Sequence, residues 1–141
     1  MNWYQKKIKL DSKIRGFHVI THEIITKIPE ISNYNIGTLH LFLLHTSASL
    51  SINENADFDV RRDMETYFNE YVPEYNNNFK HTAEGSDDMP AHIKSSLIGN
   101  SLLIPINMGK LEMGTWQGIY FCEHRNISSR RYLIATINGE K

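Results

Sequence analysis

Residues 39–57 read LHLFLLHTSASLSINENAD, and this stretch decides the fold class. Leu39 to Thr46 is a dense apolar run, which predicts a central strand buried on both faces. Strict alternation puts Leu39, Leu41, Leu43 and His45 on one of those faces. Ala48, Leu50 and Ile52 then predict a second strand after only a short turn. A crossover helix needs far more chain than that, so the pair does not belong to a wound parallel sheet. Asn53 to Asp57 is a polar turn. Val60, Met64, Tyr67, Phe68 and Tyr71 mark an amphipathic helix, with Asp57 or Asn55 near its cap and Pro73 as its stop.

Working outward, residues 4–10 alternate Ile8 and Leu10 with lysines, the pattern of an edge strand. Gly16 to Val19 is expected to pair with it as a hairpin. Ile20, Ile24, Ile25, Ile28 and Ile31 have helical spacing, ended by Pro29 and the polar run 32–35. Toward the C-terminus, Ser101–Ile106, Ile119–Arg125 and Arg130–Ile137 read as strands, with a hairpin turn at 107–110. Two or three helices among many strands joined by short turns give an α+β fold.

The chain has 141 residues, 40% of them hydrophobic and 22% charged, which fits one domain spanning 1–141 with an ordinary core. A net charge of −1 gives no broad pull toward nucleic acid or anionic lipid. One cysteine precludes an internal disulfide and fits a reducing compartment. The N-terminus lacks the apolar segment of a secretory signal, and the longest apolar run, Leu41–Leu44, cannot span a bilayer. A soluble, cytoplasmic protein is expected, with neither nucleic acid nor membrane as partner.

The chemistry concentrates in residues 81–94, HTAEGSDDMPAHIK. Asp88 can cap a helix whose first turn holds Pro90, with Ile93 and Leu97 facing a core. Asp88 and His92, four apart, share a face of that helix. Capping accounts for Asp88 but not for His81, His92 or the glycine beside Glu84. Imidazoles and carboxylates together suit a divalent metal, Mg or Zn, and equally suit acid–base work near neutral pH. His45 is either a satisfied strand-end histidine or a site residue. Cys122 and His124 project from one strand face about 7 Å apart. The thiol is either a small buried hydrophobe or a thiolate ligand or nucleophile. Arg125, Arg130 and Arg131 could clamp a phosphate, or simply lie at a solvated strand end.

Three strings, HTSASLSINENAD (45–57), HTAEGSDDMPAHIK (81–94) and GTWQGIYFCEHR (114–125), resemble the YjbQ family, also named secondary thiamine-phosphate synthase. RGFHVIT (15–21) and the closing Asn138-Gly139-Glu140 agree, so the resemblance covers nearly the whole chain. Phe58 departs from it, standing where proline is expected. The resemblance implies an α+β fold with a β-sandwich core, assembled as a homotrimer with the site near subunit contacts. It implies catalytic roles for His45, His81, Glu84, Asp88, His92, Cys122 and His124, with His45, His81, His92 and His124 as candidate metal ligands. Ser47, Ser49, Asn53, Asn55, Lys94 and Arg125 are candidate substrate or phosphate contacts, with Asp57 a further one. The implied reaction joins hydroxymethylpyrimidine diphosphate to thiazole phosphate with loss of pyrophosphate. Two alternatives stand beside it: metal-dependent hydrolysis of a small phosphorylated or amide metabolite, and non-catalytic binding of a phosphorylated metabolite by a trimer.

Overall fold

In the computed structural model, which describes all 141 residues, the 39–52 stretch forms two strands of two different sheets. Strand β3 (Ile36–Leu43) follows β1 (Asn2–Lys9), β2 (Gly16–Val19), α1 (Thr21–Lys27) and a 3₁₀ turn (Pro29–Asn33). After it come β4 (Ala48–Glu54), α2 (Phe58–Tyr71), α3 (Asp88–Ile98), β5 (Ser101–Asn107), β6 (Lys110–Leu111), β7 (Gln117–Glu123) and β8 (Tyr132–Glu140). One sheet has the order β1-β8-β3-β5-β6 and the other β2-β7-β4, and every pairing is antiparallel. The fold is α+β. No helix is long and apolar enough to cross a membrane.

The alternation of each strand builds the layers. Leu39, Leu41, Leu43, Ile104, Ile106, Leu133, Ala135 and Ile137 of the larger sheet meet Ala48, Leu50, Ile119 and Phe121 of the smaller one in a shared core. Ile20, Ile24, Ile28 and Ile31 join that core. The odd-and-even partition of β7 sends Tyr120 and Cys122 the other way, where with Phe17 they pack under Met64 and Phe68 of α2 and Ile98 of α3. A sandwich therefore carries a third, helical layer on its smaller sheet.

Several local expectations change. Strand β3 is central in its sheet but covered on one face only: Phe42 is 40% exposed. Strand β2 pairs with β7 in the opposite sheet, not with β1, because Phe17 is drawn to the helical layer. The isoleucine helix breaks at Ile28, since Pro29 has no N–H to continue it, and resumes as the 3₁₀ turn. Asp88 is the first residue of α3 rather than its cap, and Leu97 is 56% exposed. The buried face of α3 is instead Asp88, Ala91, Lys94 and Ser95. Asp57 does cap α2, accepting from the Asp59 N–H at 2.9 Å. Phe58 is then the first helical residue, a position where proline fits equally well. Met108 and Gly109 both take positive φ in the β5–β6 turn, as a tight hairpin demands.

Polar groups are buried between the smaller sheet and the helices. His124, 1% exposed, has Nε2 2.7 Å from Ser49 Oγ. Burial first, then the nearby cations Lys94, Arg15 and Arg131, push its pKa down to about 3. Unfolded histidine takes up a proton near pH 6.5, so folding excludes that proton. The contribution is intact above about pH 6.5 and is eroded as pH falls from there toward 3. Stability should therefore drop by about 1.4 kcal/mol per pH unit below 6.5 from this group alone. Urea titrations between pH 7.5 and 5 read this slope. His124→Asn, which removes the titrating ring, should flatten it by about one proton. An unchanged slope in that variant would show that His124 is not held neutral.

Candidate metal centre

The loop before α3 and the first turn of the helix bring His81, Asp88 and His92 together. Nε2 of His81 lies 2.7 Å from Asp88 Oδ2, and Nε2 of His92 lies 3.0 Å from the same oxygen. The i, i+4 spacing on α3 places His92 over Asp88. One donor atom from each residue falls within a 4.8 Å group. Asp88 is buried, His92 half-buried and His81 exposed, so the cluster opens to solvent on one side.

The other carboxylate oxygen is fixed from behind. Arg125 Nη1 donates to Asp88 Oδ1 at 2.6 Å, and its Nε donates to Asp87 Oδ2 at 2.8 Å. Asn126 N–H donates to Asp87 as well, and Arg125 Nη2 donates to the Glu84 carbonyl. Arg125 thus ties the loop to the helix N-terminus, where the macrodipole also favours negative charge. Burial opposes ionisation of Asp88, but hydrogen bonding from His81, the charge of His92 and Arg125 outweigh it and hold the carboxyl below the usual range. Asp87 is lowered likewise, burial being overcome by the Asn126 N–H and Arg125. Gly85 takes φ +115, and a Cβ there would sit 3.0 Å from Asp87 Oδ1. The glycine beside Glu84 is therefore a backbone requirement of the loop, not a ligand feature.

His92 has a fixed proton arrangement. Its Nδ1 is 2.8 Å from the Thr46 carbonyl, which can only accept, so Nδ1 carries a hydrogen. In the neutral ring Nε2 then presents a lone pair toward Asp88 Oδ2, itself an acceptor. Two acceptors at 3.0 Å call for a cation between them, either a proton or a metal ion.

The remaining sequence candidates divide. Cys122 is fully buried and its thiol is pushed up to about 12, burial being the main cause, so it is neither thiolate nor nucleophile at neutral pH. His124 faces Ser49 beneath the helices, away from solvent. Ser47 is buried, and its carbonyl accepts from Arg131. Lys94 is 1% exposed and donates to Asn69 Oδ1 at 2.7 Å, which removes it from any phosphate. Arg131 is spent on a buried pair with Glu123, while Arg130 stands apart at the surface. Asn53 accepts from the Glu54 N–H, and Asn55 donates to the Thr115 and Gln117 carbonyls. Asn53 sits near the far end of β4 and Asn55 just past it, about 13 and 20 Å along the chain from Ser49. Glu84 is exposed on the loop of the cluster. His45 accepts the Tyr132 N–H at Nε2, 2.7 Å away, so that atom ligates no metal. The Thr46 carbonyl, Asn69 and Arg15 carry no signal in the sequence: their roles are long-range packing contacts, such as Arg15 with Glu65 and Glu74.

The comparisons with known proteins agree with this fold and these strings. The family described as UPF0047 protein YjbQ-like matches residues 6–140. The UPF0047 protein YjbQ of Escherichia coli O157:H7 is 52% identical over 138 residues, covering 98% of this chain and 99% of that protein. Its namesake in Salmonella typhimurium is 54% identical over 138 residues, with the same coverage. Among solved structures, an uncharacterized conserved protein of the YjbQ/UPF0047 family from Clostridium acetobutylicum is 38% identical, with a TM-score of 0.73 over 95% of this chain and 98% of that one. A YbjQ-like protein from Sulfolobus solfataricus, 24% identical, shares the fold at a TM-score of 0.84, covering 99% of each chain. The chain belongs to the UPF0047 family of YjbQ-like proteins.

Proposed function

We propose that His81, Asp88 and His92 hold a divalent metal ion in an enzyme that hydrolyses a small metabolite. The observation that carries this is one carboxylate oxygen lying within 3.0 Å of two imidazole nitrogens, with the opposite oxygen locked by Arg125. Two nitrogens and one oxygen suit zinc or a similar borderline ion, whereas magnesium prefers an all-oxygen set. A bound ion supplies Lewis acidity toward a carbonyl or phosphoryl oxygen and acidifies a water. The chain's own contribution is positional. The Thr46 carbonyl fixes the His92 tautomer, and Arg125 orients Asp88. Glu84 is the exposed carboxylate of this loop left free to take a proton, because Asp87 and Asp88 are both engaged.

The family resemblance favours a second reading, condensation to thiamine phosphate. That reaction needs cations to receive a departing diphosphate. Arg125 is engaged by Asp87 and Asp88, Arg131 by Glu123, and Lys94 is buried. Lys80, exposed beside His81, is the loop's remaining cation, and a single lysine is a poor match for a diphosphate, so the geometry favours hydrolysis.

We also propose assembly as a homotrimer through the outer face of the larger sheet. The register aligns Trp3, Asn138, Thr38 and Pro105 in one row, and Lys7, Ile134, Phe42 and Ser101 in another. His40 and Leu103 lie between them. Trp3 is 71% and Leu103 65% exposed, an apolar surface of the kind that subunits cover.

Purified protein should bind about one zinc per chain, read by calorimetry after dialysis against chelator. His81→Ala and His92→Ala should each weaken it by roughly 100-fold, and Arg125→Ala by roughly 10- to 100-fold. Zinc-loaded protein should then turn over at least one member of a panel of p-nitrophenyl esters, anilides and phosphates, with His92→Ala inactive. Equal zinc affinity in all variants would remove the metal centre. Thiamine phosphate formed from both precursors with magnesium, at rates lost in the His81→Ala, His92→Ala double variant, would reinstate condensation. In light scattering the chain should run at three times its single-chain mass. Phe42→Glu with Leu103→Glu should reduce it to one, and a monomeric wild type would exclude the trimer.

A further inference from the structure

A cavity of about 500 Å³ lies against the metal cluster, with His92 as one of its walls. His45, Thr46, Ser95, Ser96 and Asn100 form most of the rest, and no apolar residue lines it. Ligand pockets are ordinarily apolar with a few polar groups, so this lining selects strongly. It also contains no lysine, arginine or carboxylate.

The hydrogen bonds already made show which groups remain for a ligand. Ser95 Oγ donates to the Ala48 carbonyl, and the Thr46 carbonyl is occupied by His92. The carbonyls of Gly99 and Asn100 accept from the Leu50 and Leu43 N–H groups. His45 is the most constrained member. A backbone N–H can only donate, so the 2.7 Å contact from Tyr132 makes Nε2 an acceptor and puts the ring hydrogen on Nδ1. Burial and the nearby Arg131 both favour this neutral ring, against a smaller opposing effect of Glu123. Nδ1–H has no partner within the protein. Thr46, Ser96 and Asn100 line the same cavity.

We infer that this cavity is the substrate pocket of the metal centre, and that it takes an uncharged, non-aromatic, hydroxyl- or carbonyl-bearing part of a small metabolite, such as the polyol part of a sugar, with His45 Nδ1–H as a fixed donor. Apart from the metal end of the cavity, a charged group would find no lysine, arginine or carboxylate in this lining, and no apolar side chain is present for an aromatic ring to stack on. A neutral imidazole donates a hydrogen bond to an oxygen without giving up its proton. His45 is therefore a substrate-positioning residue rather than a metal ligand. The inference rests on the metal reading of His81, Asp88 and His92.

The test is amide chemical-shift mapping on the zinc-loaded full chain, with D-ribose and inorganic pyrophosphate as separate probes. Ribose should move the amides of Thr46, Ser96 and Asn100 saturably, while pyrophosphate should leave them in place. His45→Met keeps a weak thioether acceptor near the Tyr132 N–H and carries no donor into the cavity. Ribose binding should weaken about threefold to tenfold, with zinc affinity unchanged. Ser96→Phe, on an exposed helix position, should narrow the cavity and weaken the shifts. Ribose shifts that map elsewhere, or that both variants leave intact, would overturn the pocket. So would stronger displacement of the same amides by pyrophosphate. Ribose shifts at the cavity in protein that binds no zinc would uphold the pocket while removing the metal centre.

Discussion

The shared carboxylate of Asp88 is the constraint on which the rest of the site depends. One of its oxygens is held by Arg125 and the other serves two imidazoles. Burying an ionised carboxylate is costly unless cations and donors surround it. Here the compensation comes from three parts of the chain: the loop before α3, the helix itself and the end of β7. Removing Arg125 would leave Asp88 and Asp87 short of a partner and free the loop that carries His81. The fold has the same logic at its centre, where Arg131 and Glu123 pair in a site almost without solvent.

Much of this was legible in the sequence, and the boundary is physical. A strand through residues 39–43, the cap at Asp57, the 107–110 turn and the two faces of β7 follow from local periodicity and turn chemistry, whereas His45 and Thr46, expected in that strand, lie beyond its end at Leu43. The i, i+4 pair Asp88–His92 was legible for the same reason. Partner choice was not. Nothing in GFHV says that Phe17 belongs under Phe68, 5.7 Å away between ring centroids, and so nothing says that β2 leaves β1 for β7. Lys94 misled because lysine is read as exposed, yet its stem fills the space between α2 and α3 and Asn69 receives its ammonium. Cys122 and His124 looked reactive through their residue types. Their burial, invisible in a single strand's pattern, makes both of them inert.

The site is therefore smaller than its sequence candidates, and more specific. In the proposed reading, three candidate ligands, one orienting arginine and one fixed histidine donor replace a broad set of histidines, serines, asparagines and cations. The neutral polar cavity beside His92 is the ground on which the proposed reading prefers a small hydroxylated or carbonyl substrate to a diphosphate. The exposed apolar face of the larger sheet lies on the opposite side of the sandwich core from the helices, which leaves room for subunit association without dismantling the cluster.

The central claim is that the His81 and His92 rings and Asp88 share one cation. Anomalous diffraction at the zinc edge, on crystals grown with zinc, tests it most directly. The account predicts a single strong peak about 2.0–2.2 Å from His81 Nε2, Asp88 Oδ2 and His92 Nε2 together. A cluster without a peak, the two rings still hydrogen-bonded to Asp88 at the present distances while zinc sits elsewhere, would contradict it.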